Sequence, residues 1–386
     1  MKVMKAFKFR LKPSCEQQRL LGAFAGCTRF IWNKALNLNL SRLKQKKLIL
    51  RYNELDFWSK LWKKSEEYGF LSQCPAHILQ QKLRDLDRAF KDAFDKEQPN
   101  KRLPRHKKRG VNDSFRFPEP KQVKLEHQHV ILPKLGRMRF YRSQDVVGDI
   151  KNYSIRRQGE HWYISIVVEL EISVVKSHSG AIGLDLGIKH FVTTSNGEHK
   201  APLNSFRTLE KKLAIKQRRL SKKKKFSSNW KKCKRKVTKI HQKISYKRHD
   251  FQHKLSTQLC NNHAVIVVER LKVKNMTASA RGTIEEPGVN VGAKSGLNKS
   301  ILDQGWYEFK RQLNYKLHWR DGMLIEINPQ YTSQRCSNCQ YVDAKNRQTQ
   351  EKFVCLECRY SINADVNAAR NILAAGHAVM ACGASA

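Results

Sequence analysis

Four cysteines near the C-terminus have the spacing of a zinc site. They form two Cys-x2-Cys pairs, Cys336 with Cys339 and Cys355 with Cys358, and fifteen residues separate the pairs. Each pair places two thiolates on one tight turn, and two such turns provide the four ligands of a tetrahedral Zn²⁺. Because four thiolates leave no open coordination position, we predict a structural zinc ion rather than a catalytic one.

An aspartate between two glycines is a candidate ligand for a different metal. In residues 182–188 apolar side chains alternate with Gly183, Asp185 and Gly187, which predicts a strand whose acid faces away from the apolar side. Since neither glycine has a side chain, we expect Asp185 to lie in an open notch that admits a metal ion and a phosphate. An Asn-Gly turn at 195–198 predicts an antiparallel hairpin next.

Two further acids occupy positions that suit the same site. Glu269 follows the apolar run 264–268, which predicts a buried central strand with the acid at its C-terminal end, where open sheets bind ligands. Asp365 falls in the first turn of a predicted helix. Three carboxylates suit two Mg²⁺ or Mn²⁺ ions, one activating water and one stabilising the leaving oxygen of a phosphodiester. Taken singly, Glu269 also fits a solvent-exposed strand end, and Asp365 fits a helix N-terminal charge.

The chain carries a large excess of positive charge. Among its 386 residues, 76 are Lys or Arg and 33 are Asp or Glu, which gives a net charge of +43 at pH 7. Such self-repulsion would destabilise a compact protein without an anionic partner, and a nucleic acid is the natural one. A membrane-surface partner is disfavoured, because the sequence has no apolar run of about eighteen residues and no lipidation signal. The basic N-terminus has no apolar core, so no signal peptide is recognised and a cytoplasmic protein is expected. The scattered remaining cysteines fit the reduced thiols of a cytoplasmic protein.

Much of the positive charge falls in residues 207–248. This stretch contains 19 Lys or Arg and a single acid, Glu210. Leu and Ile recur in it at helical spacing, so we predict two long basic helices over 203–262, interrupted near 226–228. A solvated charged surface would need acids for helical ion pairs, so contact with phosphates is favoured. The predicted backbone contacts are Lys222, Lys223, Lys224, Lys225, Lys231, Lys232, Lys234 and Arg235.

Other regions are assigned by their residue patterns. Alternation at 5–11 predicts a short strand, and helical spacing over 14–95 predicts a helical domain. Short alternating segments over 114–170 predict a small antiparallel barrel or sheet that the N-terminal strand could complete. The polar composition of residues 173–180 predicts a linker. The abundance of Gly, Ser and Ala in residues 277–300 predicts a mobile loop. The fold class is therefore multidomain α+β.

Several segments together match a known family. They are GLDLGIKHFVTTSNG, IVVERLKVKNM, SILDQGWYEFKRQL, INPQYTSQRCSNC and CLECRYSINADVNAARNILAAGHA. With these motifs, and with a similar layout before them, the chain resembles the TnpB (OrfB) proteins of IS200/IS605-type insertion sequences, which are related to the compact Cas12 effectors. The resemblance implies an RNase H-like (RuvC) α/β nuclease domain with Asp185, Glu269 and Asp365 as its catalytic residues.

The resemblance also implies an order of domains along the chain. In that order the segments are a wedge strand (1–12), a helical recognition domain (13–110), a wedge β-barrel (111–176), the RuvC-like nuclease domain (177–332), a zinc ribbon that binds target nucleic acid (333–360), and the C-terminal RuvC helix and tail (361–386).

A protein of this kind is expected to be an RNA-guided DNA endonuclease encoded by a mobile element. A guide RNA from the element's end pairs with double-stranded target DNA beside a short transposon-adjacent motif, and one site with two Mg²⁺ or Mn²⁺ ions cuts the strands. The resemblance implies a monomeric ribonucleoprotein in the cytoplasm of a bacterium or archaeon, associated with the nucleoid.

Two alternative functions stay open. A nuclease-inactive RNA-guided repressor should have lost one of the three acids, and this chain keeps them all. A DNA transposase, or an accessory protein of one, would need a nucleophile for strand transfer. The chain lacks an evident His-hydrophobe-His arrangement with a Tyr nucleophile.

Two further details concern base recognition and the zinc turns. Candidate readers of the adjacent DNA motif are polar residues whose groups can reach base edges. They are Tyr52, His77, Gln81, Asn112 and Ser114. Zinc turns usually have Gly after the second Cys, where a positive φ directs backbone N–H groups toward the sulfurs. Gln340 and Arg359 occupy these positions here, so we expect some departure from ideal zinc geometry.

Overall fold

The computed structural model describes residues 1–172 and 180–383. It divides the chain into two compact units, the first comprising Lys2–Ile172 and the second the residues that follow. The predicted linker at 173–180 lies, apart from Gly180, outside the described residues, and so do the last three residues of the predicted tail. No helix among the described residues is long and apolar enough to cross a membrane.

Helices form in the first unit where helical spacing predicts them. Ser14 begins the first helix with a capping box, because its hydroxyl accepts a hydrogen bond from the Gln17 N–H while the Gln17 side chain accepts one from the Ser14 N–H. The buried faces of the helices, rich in Leu, Ile and Phe, join one hydrophobic core with the sheet of this unit. The helices are α1 (Cys15–Lys44), α2 (Tyr52–Lys64) and α3 (Ala76–Phe94), with a 3₁₀ segment at Glu66–Gln73.

Seven antiparallel strands form the sheet of the first unit. The strands are β1 (Lys2–Lys12), β2 (Ser114–Phe117), β3 (Lys124–Glu126), β4 (His129–Leu132), β5 (Gly136–Tyr141), β6 (Asp149–Gln158) and β7 (His161–Glu171). Their order is β2-β6-β7-β1-β5-β4-β3. The N-terminal strand thus belongs to this sheet, as predicted, and it lies inside the sheet, between β7 and β5.

The second unit contains a five-stranded mixed sheet. Its strands are β8 (Ala181–Asp185), β9 (Val192–Thr194), β10 (His199–Lys200), β11 (Val265–Glu269) and β12 (Met323–Ile327), in the order β10-β9-β8-β11-β12. β8, β11 and β12 are parallel, and β11 is the central strand that its apolar sequence predicts. β9 and β10 pair antiparallel around Asn196 and Gly197, which confirms the predicted hairpin.

Helices cover both faces of this sheet. On one face α5 and α8 pack against side chains such as Leu184 and Ile266, and on the other α9 packs against Val267 and Ile325. The two predicted basic helices are α4 and α5, which confirms that prediction. The helices are α4 (Ser205–Ser221), α5 (Ser228–Asn262), α6 (Val273–Met276), α7 (Val291–Gln304), α8 (Trp306–His318) and α9 (Ala364–Ala381).

The prediction of a mobile loop over 277–300 is wrong for its second half. Residues from Val291 onward form α7. Tertiary contacts outweigh the poor helix propensity of its glycines and serines. Ile301 is buried, and the buried Asp303 carboxylate accepts hydrogen bonds from the Ser205 hydroxyl and from the Phe206 N–H at 2.9–3.1 Å, at the start of α4.

The prediction of an open notch around Asp185 is also wrong. The strand ends at Asp185, and a Cβ built on Gly183 would lie 2.2 Å from the Ala369 carbonyl oxygen of α9. Gly183 therefore allows α9 to approach β8 closely, rather than leaving space for a ligand. On the other side, Gly187 faces the His190 carbonyl oxygen, 2.9 Å from its would-be Cβ.

Candidate metal centres

Asp185, Glu269 and Asp365 stand at the ends of neighbouring elements. Asp185 is the last residue of β8, Glu269 is the last residue of β11, and Asp365 is the second residue of α9. β8 and β11 are parallel, with Leu184 opposite Val268, so both acids leave the sheet at the same edge. α9 packs against both strands. The structure therefore brings the three predicted acids to one region.

The three carboxylates interact electrostatically. Burial, followed by the negative charges of Glu269 and Asp365, raises the pKa of Asp185 to about 7. Burial also raises the pKa of Glu269. Burial is the main cause of both shifts, and for Asp185 the neighbouring negative charges add to it; a divalent cation would stabilise the ionised carboxylates against both effects. Three carboxylate donors suit Mg²⁺ or Mn²⁺, so the residues present fit the predicted metal ions.

A threonine holds the carboxylate of Glu269. The Thr332 hydroxyl lies 2.5 Å from Glu269 Oε1 and 3.0 Å from the carbonyl oxygen of Pro329. Thr332 is buried, and its hydrogen bond lowers the Glu269 pKa in opposition to burial. Sequence patterns did not single out this residue. The family resemblance could have indicated it, because Thr332 lies in the segment INPQYTSQRCSNC that carries part of that resemblance.

An arginine of the cysteine-rich segment pairs with Asp365. The Arg347 guanidinium donates to Asp365 Oδ1 at 3.1 Å and to the Gln350 carbonyl oxygen at 2.9 Å. Its positive charge also lowers the pKa of Asp185. Asn363 caps α9 by accepting hydrogen bonds from the Asp365 and Val366 N–H groups at 3.0 and 3.2 Å. Arg347 was not predicted either, since spacing alone does not show which arginine folds back toward the acids.

The four predicted zinc ligands converge. Their sulfur atoms lie within 4.8 Å of one another, with Cys336 and Cys358 sulfurs 3.7 Å apart and those of Cys339 and Cys355 3.5 Å apart. Around a tetrahedral zinc ion with Zn–S bonds of about 2.3 Å, sulfurs are about 3.8 Å apart. The cluster therefore fits zinc, and a hairpin of β13 (Lys352–Val354) and β14 (Ser361–Asn363) completes the ribbon.

Both zinc turns keep a positive φ without glycine. Gln340 has φ of 67° and Arg359 has φ of 61°. The Gln340 N–H donates to the Cys336 carbonyl oxygen at 3.0 Å, and the Arg359 N–H donates to that of Cys355 at 3.1 Å. The two turns therefore share one geometry, and the departure that we expected from the absence of glycine does not occur in the backbone.

Two buried asparagines tie the ribbon to the helix that carries Asp365. Asn367 accepts from the Ser337 N–H at 2.9 Å and donates to the Arg335 carbonyl oxygen at 2.8 Å, so its amide brackets Cys336. One turn further along α9, Asn371 donates to the carbonyl oxygens of Thr332 and Arg335 at 2.9 and 2.7 Å. The zinc site and the carboxylate site are consequently parts of one hydrogen-bonded assembly.

The predicted nucleic-acid contacts lie at the end of the α4–α5 hairpin. Lys222, Lys223, Lys224 and Lys225 form its connection, and the other four basic residues occupy the first two turns of α5. All eight are exposed. The five candidate motif readers lie in the first unit. Tyr52 begins α2, and His77 and Gln81 lie one turn apart on α3. Ser114 begins β2, and Asn112 lies two residues before it. The Gln81 amide and the Asn112 oxygen are already hydrogen-bonded within the unit, at 3.0 and 2.8 Å, so their assignment stays a prediction.

Three family models match separate parts of the chain. A family described as "Probable transposase" (OrfB_IS605) matches residues 165–280, and the Cas12f1-like TNB domain matches 306–372. A family described as a helix-turn-helix domain (HTH_OrfB_IS605) matches 1–47, although in this structure that segment forms β1 and the single helix α1.

Two curated relatives align over nearly their full length. "Putative RNA-guided DNA endonuclease InsQ" of Escherichia coli K12 is 47% identical over 384 residues, which are 99% of this chain and 95% of that protein. A "Putative RNA-guided DNA endonuclease" of Streptomyces pristinaespiralis is 32% identical over 99% of this chain and 91% of its own length. The fold matches a Cas12f1 chain solved by cryo-EM with sgRNA and target DNA, with a TM-score of 0.51 at 13% identity, covering 96% of this chain and 98% of that one. The chain therefore belongs to the TnpB (OrfB) family of insertion-sequence proteins.

Proposed function

We propose that this protein is an RNA-guided DNA endonuclease of the RuvC type, with Asp185, Glu269 and Asp365 as the ligands of its catalytic metal ions. The convergence of these acids at one edge of the mixed sheet is the observation that carries the proposal. Relatives that align over nearly the whole chain are named for this activity. A nuclease-inactive repressor is disfavoured, because all three acids are present and held in place.

Each acid has a defined task in this proposal. Two Mg²⁺ or Mn²⁺ ions, when bound, would lower the pKa of the attacking water and stabilise the departing oxygen. Asp185 and Glu269 stand at adjacent strand ends and Asp365 on a helix, and these three side chains would hold the ions. Thr332 fixes the orientation of Glu269. Burial and the neighbouring acids raise the pKa of Asp185 to about 7, so metal binding at this carboxylate, which releases its proton, should become more favourable as the pH rises.

The partners that we propose are a guide RNA and double-stranded DNA. The net charge of +43 suits a protein that holds a structured RNA and a heteroduplex. We propose that the first unit supplies the wedge and recognition domains with the motif readers, and that the zinc-bound ribbon contacts target nucleic acid beside the nuclease domain. The domain boundaries given above and the monomeric state stay predictions.

Cleavage of motif-flanked plasmid DNA tests the proposal. The full chain is purified with the RNA that it retains, the RNA is sequenced, and plasmids carrying its complement beside randomised flanks are incubated with Mg²⁺. We expect cleavage by the wild type and loss of cleavage, with RNA and DNA binding retained, in Asp185→Ala. Binding without cleavage by the wild type would instead establish the repressor. A covalent protein–DNA adduct would favour the transposase.

A further inference from the structure

The end of the α4–α5 hairpin carries an aromatic pair within the most basic part of the chain. We call residues 222–235 the hairpin tip. Eight of these fourteen residues are Lys or Arg and none is acidic. Phe226 lies in the connection with 66% of its surface exposed, and Trp230 lies in the first turn of α5 and is partly exposed. Two large aromatic side chains in contact with water and surrounded by lysines call for an explanation.

The two rings are placed by the start of α5. The Ser227 hydroxyl caps the helix by accepting a hydrogen bond from the Trp230 N–H at 3.2 Å. Phe226 has φ of 70°, and its ring centroid lies 5.5 Å from that of Trp230 with the planes 57° apart. A contact between the residue before the N-cap and one in the first turn, similar to a hydrophobic staple but one position short of it, explains why the rings touch. It does not explain why Phe226 stays mostly exposed, since a staple gains its free energy by burial.

Each ring also has an ammonium group beside it. Lys225 Nζ lies 5.4 Å from the ring centroid of Phe226, and Lys234 Nζ lies 5.0 Å from that of Trp230. An unpaired nucleotide presents groups complementary to both features, because its base stacks on an aromatic face while its phosphate pairs with a lysine. The charged residues of the hairpin tip are all positive. A basic or mixed-charge protein surface is therefore a poorer partner than a nucleic acid.

We propose that Phe226 and Trp230 form a stacking site for an unpaired base of the guide RNA, a subsite that rests on the proposed function and extends it. α5 has 35 residues, a length of about 50 Å, and its far end packs on the sheet through Leu255 and Leu259. The hairpin tip thus stands tens of ångströms along the helix from the sheet that carries the acids. DNA being cut must reach those acids, whereas a structured RNA has loop bases available at distant sites.

Stacking on a base and pairing with a phosphate differ in their salt dependence, which allows a sharp test. The full chain, freed of nucleic acid, is titrated with an in-vitro transcript of the RNA that co-purifies with it, at several salt concentrations. We expect Phe226→Leu/Trp230→Leu to weaken binding about fivefold to 150-fold, the range of alanine substitutions at stacked bases. The slope of log affinity against log salt should stay unchanged, because this variant retains every lysine that neutralises a phosphate.

Matched variants complete the test. Phe226→Tyr/Trp230→Phe keeps two aromatic faces and should bind like the wild type, whereas Lys223→Gln/Lys224→Gln should lower the salt slope by about 0.7 for each phosphate that is no longer neutralised. Equal unfolding temperatures of all variants exclude a folding defect. Wild-type affinity in Phe226→Leu/Trp230→Leu, a lowered salt slope, or a defect confined to DNA binding by the assembled complex would each overturn the proposal. A wild-type protein that retains no RNA would refute the proposed function itself.

Discussion

Removing the Thr332 hydroxyl tests whether a residue outside the three acids sets the properties of the proposed metal site. Thr332→Val keeps the shape of the side chain and deletes its hydrogen bond to Glu269. The backbone oxygen that accepts from Asn371 is unaffected. Two effects should follow: the Glu269 carboxylate loses its fixed orientation, and its pKa rises further, because the hydrogen bond lowers it against the effect of burial.

The magnitude follows from the kind of hydrogen bond that is removed. A hydrogen bond to a charged group contributes about 1.5–3 kcal/mol, which corresponds to about a 10- to 150-fold change in an equilibrium constant. Because Thr332 is buried, water does not readily replace its hydroxyl. We therefore expect Mn²⁺, used as a probe for the carboxylate site, to bind about 10- to 150-fold more weakly to Thr332→Val. The pH at which cleavage reaches half of its maximal rate should also rise.

The assay separates positioning from folding. Mn²⁺ binding is measured by electron paramagnetic resonance with zinc retained in the ribbon, and cleavage is measured across pH with saturating Mg²⁺. Thr332→Ser, which keeps the hydroxyl, serves as the control and should restore both binding and the pH profile. If Thr332→Val and Thr332→Ser bind Mn²⁺ equally and share one pH profile, Thr332 does not position Glu269 and the reasoning is refuted.

Three further predictions concern the same unit. Replacing Arg347 by Gln should make Mn²⁺ binding at pH 8.5 about threefold to tenfold tighter, because the ion no longer competes with a guanidinium for Asp365. Weaker or unchanged Mn²⁺ binding, measured by electron paramagnetic resonance, would contradict this. Because the folded-state pKa of Asp185 is raised to about 7, the metal-free protein binds more protons folded than unfolded between about pH 4 and 7, so its stability falls as pH rises through that window. Asp185→Asn should accordingly raise the unfolding temperature of the metal-free protein at pH 8 and not at pH 4, and an equal effect at both values would show that burial of this charge is not the cause. Gly183→Ala should destabilise the protein by more than about 3 kcal/mol in chemical denaturation, because the added Cβ would lie 2.2 Å from the backbone of α9. The control is Gly292→Ala on α7, which has open space around it and should be neutral or stabilising.

The sequence predicted those parts of the site that depend on local pattern. Strand ends, the first turn of α9 and the cysteine pairs are set by residues close together in the chain, and each was found from spacing. Gly183 shows why other parts were missed. Its neighbours in sequence indicate free space, but α9, which begins 181 residues later, fills that space. Thr332 and Arg347 were missed for a related reason, because their partners are distant in sequence and no periodicity connects them.

These two residues change the role that can be assigned to the ribbon. Thr332 precedes the first cysteine of the ribbon and holds Glu269. Arg347 lies between the two cysteine pairs and holds Asp365. Asn367 ties both sides of Cys336 to α9. Zinc, when bound, would order the turn that contains Cys336, and that turn is hydrogen-bonded to the helix that presents Asp365. By linkage, any free energy by which zinc favours the ordered carboxylates must equally favour zinc when the carboxylates are metal-bound. We therefore propose that a zinc ion held by the four thiolates would influence the carboxylate site through the residues that lie between the two, in addition to the contact with target nucleic acid proposed for the ribbon.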